Sequence, residues 1–249
     1  MRSLLLCILL LTSAANALAQ SPVYLTTGRI EFEKRLNVYA RLDEMFTDNN
    51  SPWKEMEKKR QPRFKITYFD LLFRGNNTLY TPGRDNPDNI RLQPEPGDEN
   101  VIYDKLDTHE TIAQKKAFEQ VFLIKDSTRA IKWKITDEKR NIAGFDCRRA
   151  NAVIMDSIYV VAFYTDAIVT PGGPESFTGL PGMILGVALP YEHITWFATK
   201  VLSEDVQETA LKVPVKGKKM DNKGFRETIN GSLKDWGPYG KTYMKVLQL

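Results

Sequence analysis

The sequence predicts a mainly β protein: a large curved antiparallel sheet, a half-barrel-like meander, with one or two short helices. Three observations carry the prediction. Stretches rich in β-branched and aromatic residues recur along the chain, each bounded by turn residues. Several of them alternate apolar with polar, the mark of strands wetted on one face, which favours antiparallel pairing over a wound βαβ sheet. Only two stretches carry a helical signal.

At 249 residues, 42% hydrophobic and 27% charged, the chain is ordinary globular material, which excludes disorder, collagen and a small disulfide scaffold. A net charge of +4 is too slight to imply a nucleic-acid partner. Met1-Arg2, the apolar run Leu4–Leu11 and the small residues of Ala17-Leu18-Ala19 read as a cleaved signal peptide over residues 1–19. A single exported domain over 20–249 follows, in the periplasm, at the outer-membrane periphery or secreted. The apolar run falls short of the ~20 residues a membrane span needs, and no transmembrane segment is expected. Cys7 leaves with the leader, so Cys147 has no intramolecular disulfide partner.

Strands are expected at Gly28–Ala40, Arg63–Phe73, Ala117–Lys125, Arg129–Ile135, Phe145–Ile154, Ile158–Ile168, Met183–Leu189 and Ile194–Leu202. In Arg63–Tyr68 the even positions are apolar; in Ile131–Ile135 one face is apolar and the other basic. Ser51-Pro52, with Glu55 and Glu57 ahead of Lys58-Lys59-Arg60, starts a helix in the charge order its dipole prefers. A second helix carries Phe225, Ile229, Leu233 and Trp236 on one face and should stop at Gly237-Pro238. Thr81 to Asn100 holds four of the 13 prolines and reads as a surface insertion, or else as a lid or partner-binding loop.

The chemistry-bearing motifs of phosphate binding, zinc proteolysis, serine hydrolysis and dithiol exchange are missing, and neither a metal nor a cofactor is expected. Cys147 with His193 has the composition of a nucleophile and its base, and Arg148 and Arg149 would favour a thiolate. Against this, Cys147 shares strand parity with Phe145 and Val153, the setting of a buried structural thiol. Five of the 15 glycines fall between Gly172 and Gly186. Leu180-Pro181-Gly182-Met183 fits a type II turn, with positive φ at Gly182, where Asn would be tolerated better than Val. A phosphate cradle is disfavoured, because no Lys follows the glycines and an apolar strand follows instead of a helix.

Gly144, Cys147, Ala150, Tyr164, Gly173, Pro174, Phe177, Gly179, Leu180, Pro181 and Gly182 occur in an order that resembles the GLPGLI family, uncharacterised exported proteins found mainly in Bacteroidetes. The resemblance covers about residues 135–187 and makes those eleven its signature positions. Phe163 stands where Trp is usual and Met183 where Leu is usual, both apolar or aromatic exchanges. The family pattern carries no catalytic group. The expected function is a non-catalytic binding or carrier module of the cell envelope for an apolar ligand or peptide. The alternatives are an interaction subunit of an outer-membrane transport or surface complex, or a thiol enzyme using Cys147. A curled meander offers the first a concave face; the 81–100 loop and open sheet edges offer the second its contacts.

Overall fold

In the computed structural model, the described residues are 24–46, 51–89, 92 and 94–249, with the side chains of Pro238 and Tyr239 excepted. The leader expected at 1–19, with Cys7, lies outside them. The strands are β1 Thr27–Asn37, β2 Phe64–Arg74, β3 Asn77–Pro82, β4 Val101–Lys105, β5 Glu110–Ala117, β6 Gln120–Ser127, β7 Lys134–Ile142, β8 Phe145–Ile154, β9 Ile158–Thr165, β10 Met183–Leu189, β11 Ile194–Leu202 and β12 Lys218–Met220. The helices are α1 Val38–Met45, α2 Pro52–Arg60, α3 Asn222–Leu233 and α4 Gly237–Leu247.

All twelve strands form one sheet in the order β12-β6-β5-β4-β3-β2-β1-β11-β10-β9-β8-β7. Every pairing is antiparallel except that of the short β12 with β6. Two meanders, β2 to β6 and β7 to β11, thus flank β1. Connectivity alone forces the sheet to curl. In a flat sheet the ten steps from β6 to β7 would separate them by about 48 Å. Residues 128–133 join them, and an extended segment of that length reaches about 25 Å at most. Register shifts in β1, β7 and β10 add the local bend that bulges supply. The result is a mainly β half-barrel, open at its edges.

Several local expectations change. The first predicted strand ends at Asn37, whose side chain accepts from the Ala40 N–H at 3.1 Å and caps α1. Residues 129–133 are not strand; Trp133 donates its Nε1–H to the Thr178 carbonyl at 2.9 Å and pins the link between the meanders. Gly237-Pro238 does not end the helical region but opens α4, with Pro in the first turn where its missing N–H costs nothing. Phe225, Ile229 and Leu233 are buried as expected, while Trp236 is 47% exposed and its ring lies tilted 5.5 Å from that of Phe118 at the hairpin between β5 and β6. In β2 the apolar alternation lies on the outer side. Lys65, Phe69, Leu71 and Phe73 point inward, and Phe64 is 40% exposed. Strands β3, β4, β5 and β12, and β7 beyond Ile135, lie outside the expected strands.

The inner side carries one continuous core, with Phe32, Phe69, Phe73, Ile124, Ile158 and Trp196 among its fully buried members. A smaller cluster of Leu79, Tyr103, Val206 and Leu211 covers the outer side of β3 and β4.

Candidate functional site

The glycine-rich connection between β9 and β10, residues 166–182, does not run over the surface. It folds into the concavity and fills it, with Ile168, Thr170, Gly172, Gly173, Pro174, Glu175, Phe177 and Leu180 all buried. Its side chains tie it to the β2–β3 turn and to β11. Thr170 Oγ1 donates to the Gly75 carbonyl at 2.7 Å, and the Phe177 ring lies 6.1 Å from that of Trp196. A Cβ on Gly173 would sit 2.5 Å from the Phe177 carbonyl oxygen, so the tight path requires glycine there. Of the signature residues, Tyr164, Gly173, Pro174, Phe177, Leu180 and Gly182 are gathered in this interior. Gly179 and Pro181 reach the surface, and Gly144 lies apart in the β7–β8 hairpin with φ +86°. Ala150 is buried on β8 opposite Ala162.

The turn at the end of this segment is not type II. Gly182 N–H donates to the Leu180 carbonyl at 2.8 Å, a three-residue closure around Pro181, and Met183 N–H goes instead to Ile168 at 3.0 Å. Positive φ at Gly182 is present, at +134°.

The Pro-rich stretch before β4 is likewise no mere surface insertion. Asp98 and Asn100 from it are buried. Lys34 Nζ donates to Asp98 Oδ1 and to the Pro96 carbonyl, both at 2.9 Å, and Lys65 lies 3.5 Å from the other Asp98 oxygen. Arg41 closes on Glu95 at 2.7 Å. Burial alone would raise the Asp98 carboxyl, but Lys34 and Lys65 outweigh it and hold the group below its ordinary value. Asn100 then donates to Glu175 at 2.8 Å, tying this loop to the interior segment and holding Glu175 in the left-handed region at φ +51°.

Beside this network a cavity of about 380 Å³ remains open between β4–β6, residues 127–130, the interior segment and the start of α3. Ile102, Ala113, Ile124 and Phe225 make its apolar wall. Asp104, Lys115, Asp126, Arg129, Lys223 and Arg226 carry its charge. Burial pushes Asp104 up to about 6, against the hydrogen bond from Thr111 and the charge of Lys115. Burial also pushes Lys115 down to about 8, opposed by the charge of Glu175. A raised carboxyl and a lowered ammonium in one concavity are the features that mark binding and active sites. Sequence reasoning missed these residues. Along β5 the inward positions are Thr111, Ala113, Lys115 and Ala117, which leave no apolar stripe to read.

Cys147 is fully buried, with Sγ 3.5 Å from the Phe145 carbonyl. Burial, with Asp146 adding to it, pushes its thiol up to about 12, so thiolate is scarce at neutral pH. His193 lies 2.9 Å from the Glu44 carboxylate. Val153, expected on the same buried face, is 61% exposed, because the buried positions of β8 change parity to Ala150, Ala152 and Ile154 beside the bulge in β7. The thiol should therefore react with a disulfide reagent slower by roughly two orders of magnitude or more in the native protein than in denaturant. Equal rates would show an accessible cysteine.

The half-barrel with its interior segment defines a mainly β class of fold. Crystal structures of PNGF-II share it: in the C2 and P21 space groups the TM-scores are 0.52 and 0.53, each at 13% identity over 81% of this chain. The chain spans 32% of the length of those proteins, and the likeness is one of fold. A family described as "Protein of unknown function (Porph_ging)" matches residues 152–186. That stretch includes Tyr164 and the signature positions from Gly173 to Gly182 but leaves out Gly144, Cys147 and Ala150. No curated protein matches. Among the described residues no helix is long and apolar enough to cross a membrane.

Proposed function

We propose that this protein is a non-catalytic binding module of the cell envelope, exported by its N-terminal leader, that takes a small ligand with an apolar body into the cavity between β4–β6 and α3. The observation that carries the reading is the cavity itself. The interior segment and the C-terminal helices fill the concavity elsewhere, and this space of about 380 Å³ lies within the range of small-molecule sites. Its apolar wall suits the ligand body, and its buried charges provide orientation. The signature residues act here as scaffold. Glycines and prolines set the path of the interior segment, which presents Ser176 and Thr178 to the cavity. A thiol enzyme finds no support around Cys147.

Native mass spectrometry of protein isolated from its own envelope should find a small molecule bound one to one, lost from a variant in which Ala113→Trp fills the cavity. Protein free of any ligand, and unmoved in its melting by a panel of small amphipathic compounds, would end the reading.

A further inference from the structure

We propose that the ligand is a small organic acid, with its carboxylate held by Lys115 and the Arg129–Arg226 pair and its apolar body against Ile124 and Phe225. The inference deepens the binding reading above and rests on it. Its basis is an imbalance in how the protein treats buried cations.

Four lysines are buried among the described residues. Lys34 and Lys65 share Asp98, and Lys54 lies 3.4 Å from Asp43. Lys115, only 6% exposed, has no ion pair among the described residues, and its hydrogen bond to the Leu247 carbonyl is long at 3.4 Å. An ammonium has three donors, and a buried one left short of acceptors is costly. The guanidiniums on this cavity likewise lack a side-chain carboxylate among the described residues. Arg129 donates from Nε to Ser176 and from Nη2 to the backbone oxygens of Gln248 and Leu249, yet meets no side-chain carboxylate. Arg226, exposed, also lacks an ion pair among the described residues, and its charge repels that of Arg129. Four cations, Lys115, Arg129, Lys223 and Arg226, line one cavity, and Arg129 repels both Lys115 and Arg226, a setting suited to an anion.

The side-chain carboxylates around the cavity do not pair with these cations. Asp126 accepts from the backbone N–H groups of Asn222, at 2.9 Å, and Ser127, at 2.7 Å. Asp104 and Glu175 act on Lys115 through space but form no ion pair with it. Asp104 in the same wall also limits the guest to a single negative charge, because a dianion would meet its repulsion. A carboxylate satisfies these conditions, and its two oxygens match the fork of a guanidinium.

The test is calorimetric titration of the full chain with octanoate and with 1-octanol, which share an apolar body and differ in charge. Octanoate should bind at least tenfold more tightly. Lys115→Met should remove that preference, weakening octanoate at least tenfold more than it changes octanol. Arg226→Ala, at an exposed position that does not threaten folding, should reduce it several-fold. Equal affinities for the two probes in the unaltered protein would overturn the acid and leave the binding reading standing. Octanoate binding that neither substitution weakens would place the anion elsewhere and also overturn it. No binding of either probe would remove the binding reading along with the acid.

Discussion

Gly182→Val is expected to lower the melting temperature by roughly 5–15 °C, the equivalent of about 2–5 kcal/mol for a chain of this size. Two costs add. Gly182 sits at φ +134°, a conformation that any residue with a Cβ adopts only under strain, about 1–2 kcal/mol, and a β-branched residue more. A Cβ there would also lie 2.1 Å from the Thr165 carbonyl oxygen, so β9 and the turn must part. Overpacking of this kind costs about 1–3 kcal/mol. The second cost does not depend on which side chain follows, so Asn and Ala should fare nearly as badly as Val, contrary to what a type II turn implies. Pro181→Ala should be mild, about 0.4–1 kcal/mol, through the freer unfolded chain. Thermal melts of the four variants check this; a Gly182→Asn melt close to the unaltered protein would contradict it.

Asp98→Ala should cost about 3–5 kcal/mol, because it removes the buried carboxylate that two buried ammonium groups, Lys34 and Lys65, share. Asp205→Ala is the contrast. That carboxylate is 71% exposed, its partner Arg74 is 45% exposed, and its loss should cost about 1 kcal/mol or less. Equal losses in urea denaturation would mean that the buried network contributes nothing special. The pH dependence follows with a definite sign. Asp98 is held below its unfolded value in the native protein, so its contribution is present above the unfolded pKa of 3.8 and is lost as pH falls through the lower folded value. Asp98→Ala should therefore flatten the acid limb of the stability curve.

Much of the architecture was legible in the residues. β1, β2, β6 and β8 to β11 announce themselves through β-branched and aromatic content, and wet outer faces imply antiparallel pairing. The helix after Ser51 follows from Pro and charge order, and that at Phe225 from spacing. The candidate site was hidden, because what marks a site here is a departure from the rules by which elements are recognised. Thr78 and Tyr80 on β3, Ile102 and Asp104 on β4, and Thr111 and Lys115 on β5 face inward. A strand whose buried face carries Asp or Lys looks like a loop or an exposed edge to any reading based on hydrophobic period. Lys65 misled in the same way, turning the apparent inner face of β2 outward.

The sequence by itself determined that this chain is mainly β and antiparallel, with its glycines concentrated around the entry to β10. These properties are local, set by side-chain alternation and by the φ values that Gly and Pro allow. Only the tertiary structure decided that the sheet curls, that the glycine-rich segment lies inside it, and which charges are buried and which lack partners. Those outcomes depend on residues far apart in the chain, Lys34 with Asp98, Asn100 with Glu175 and Lys115 with Arg129, whose proximity is created by the short link between β6 and β7 closing a ten-step sheet.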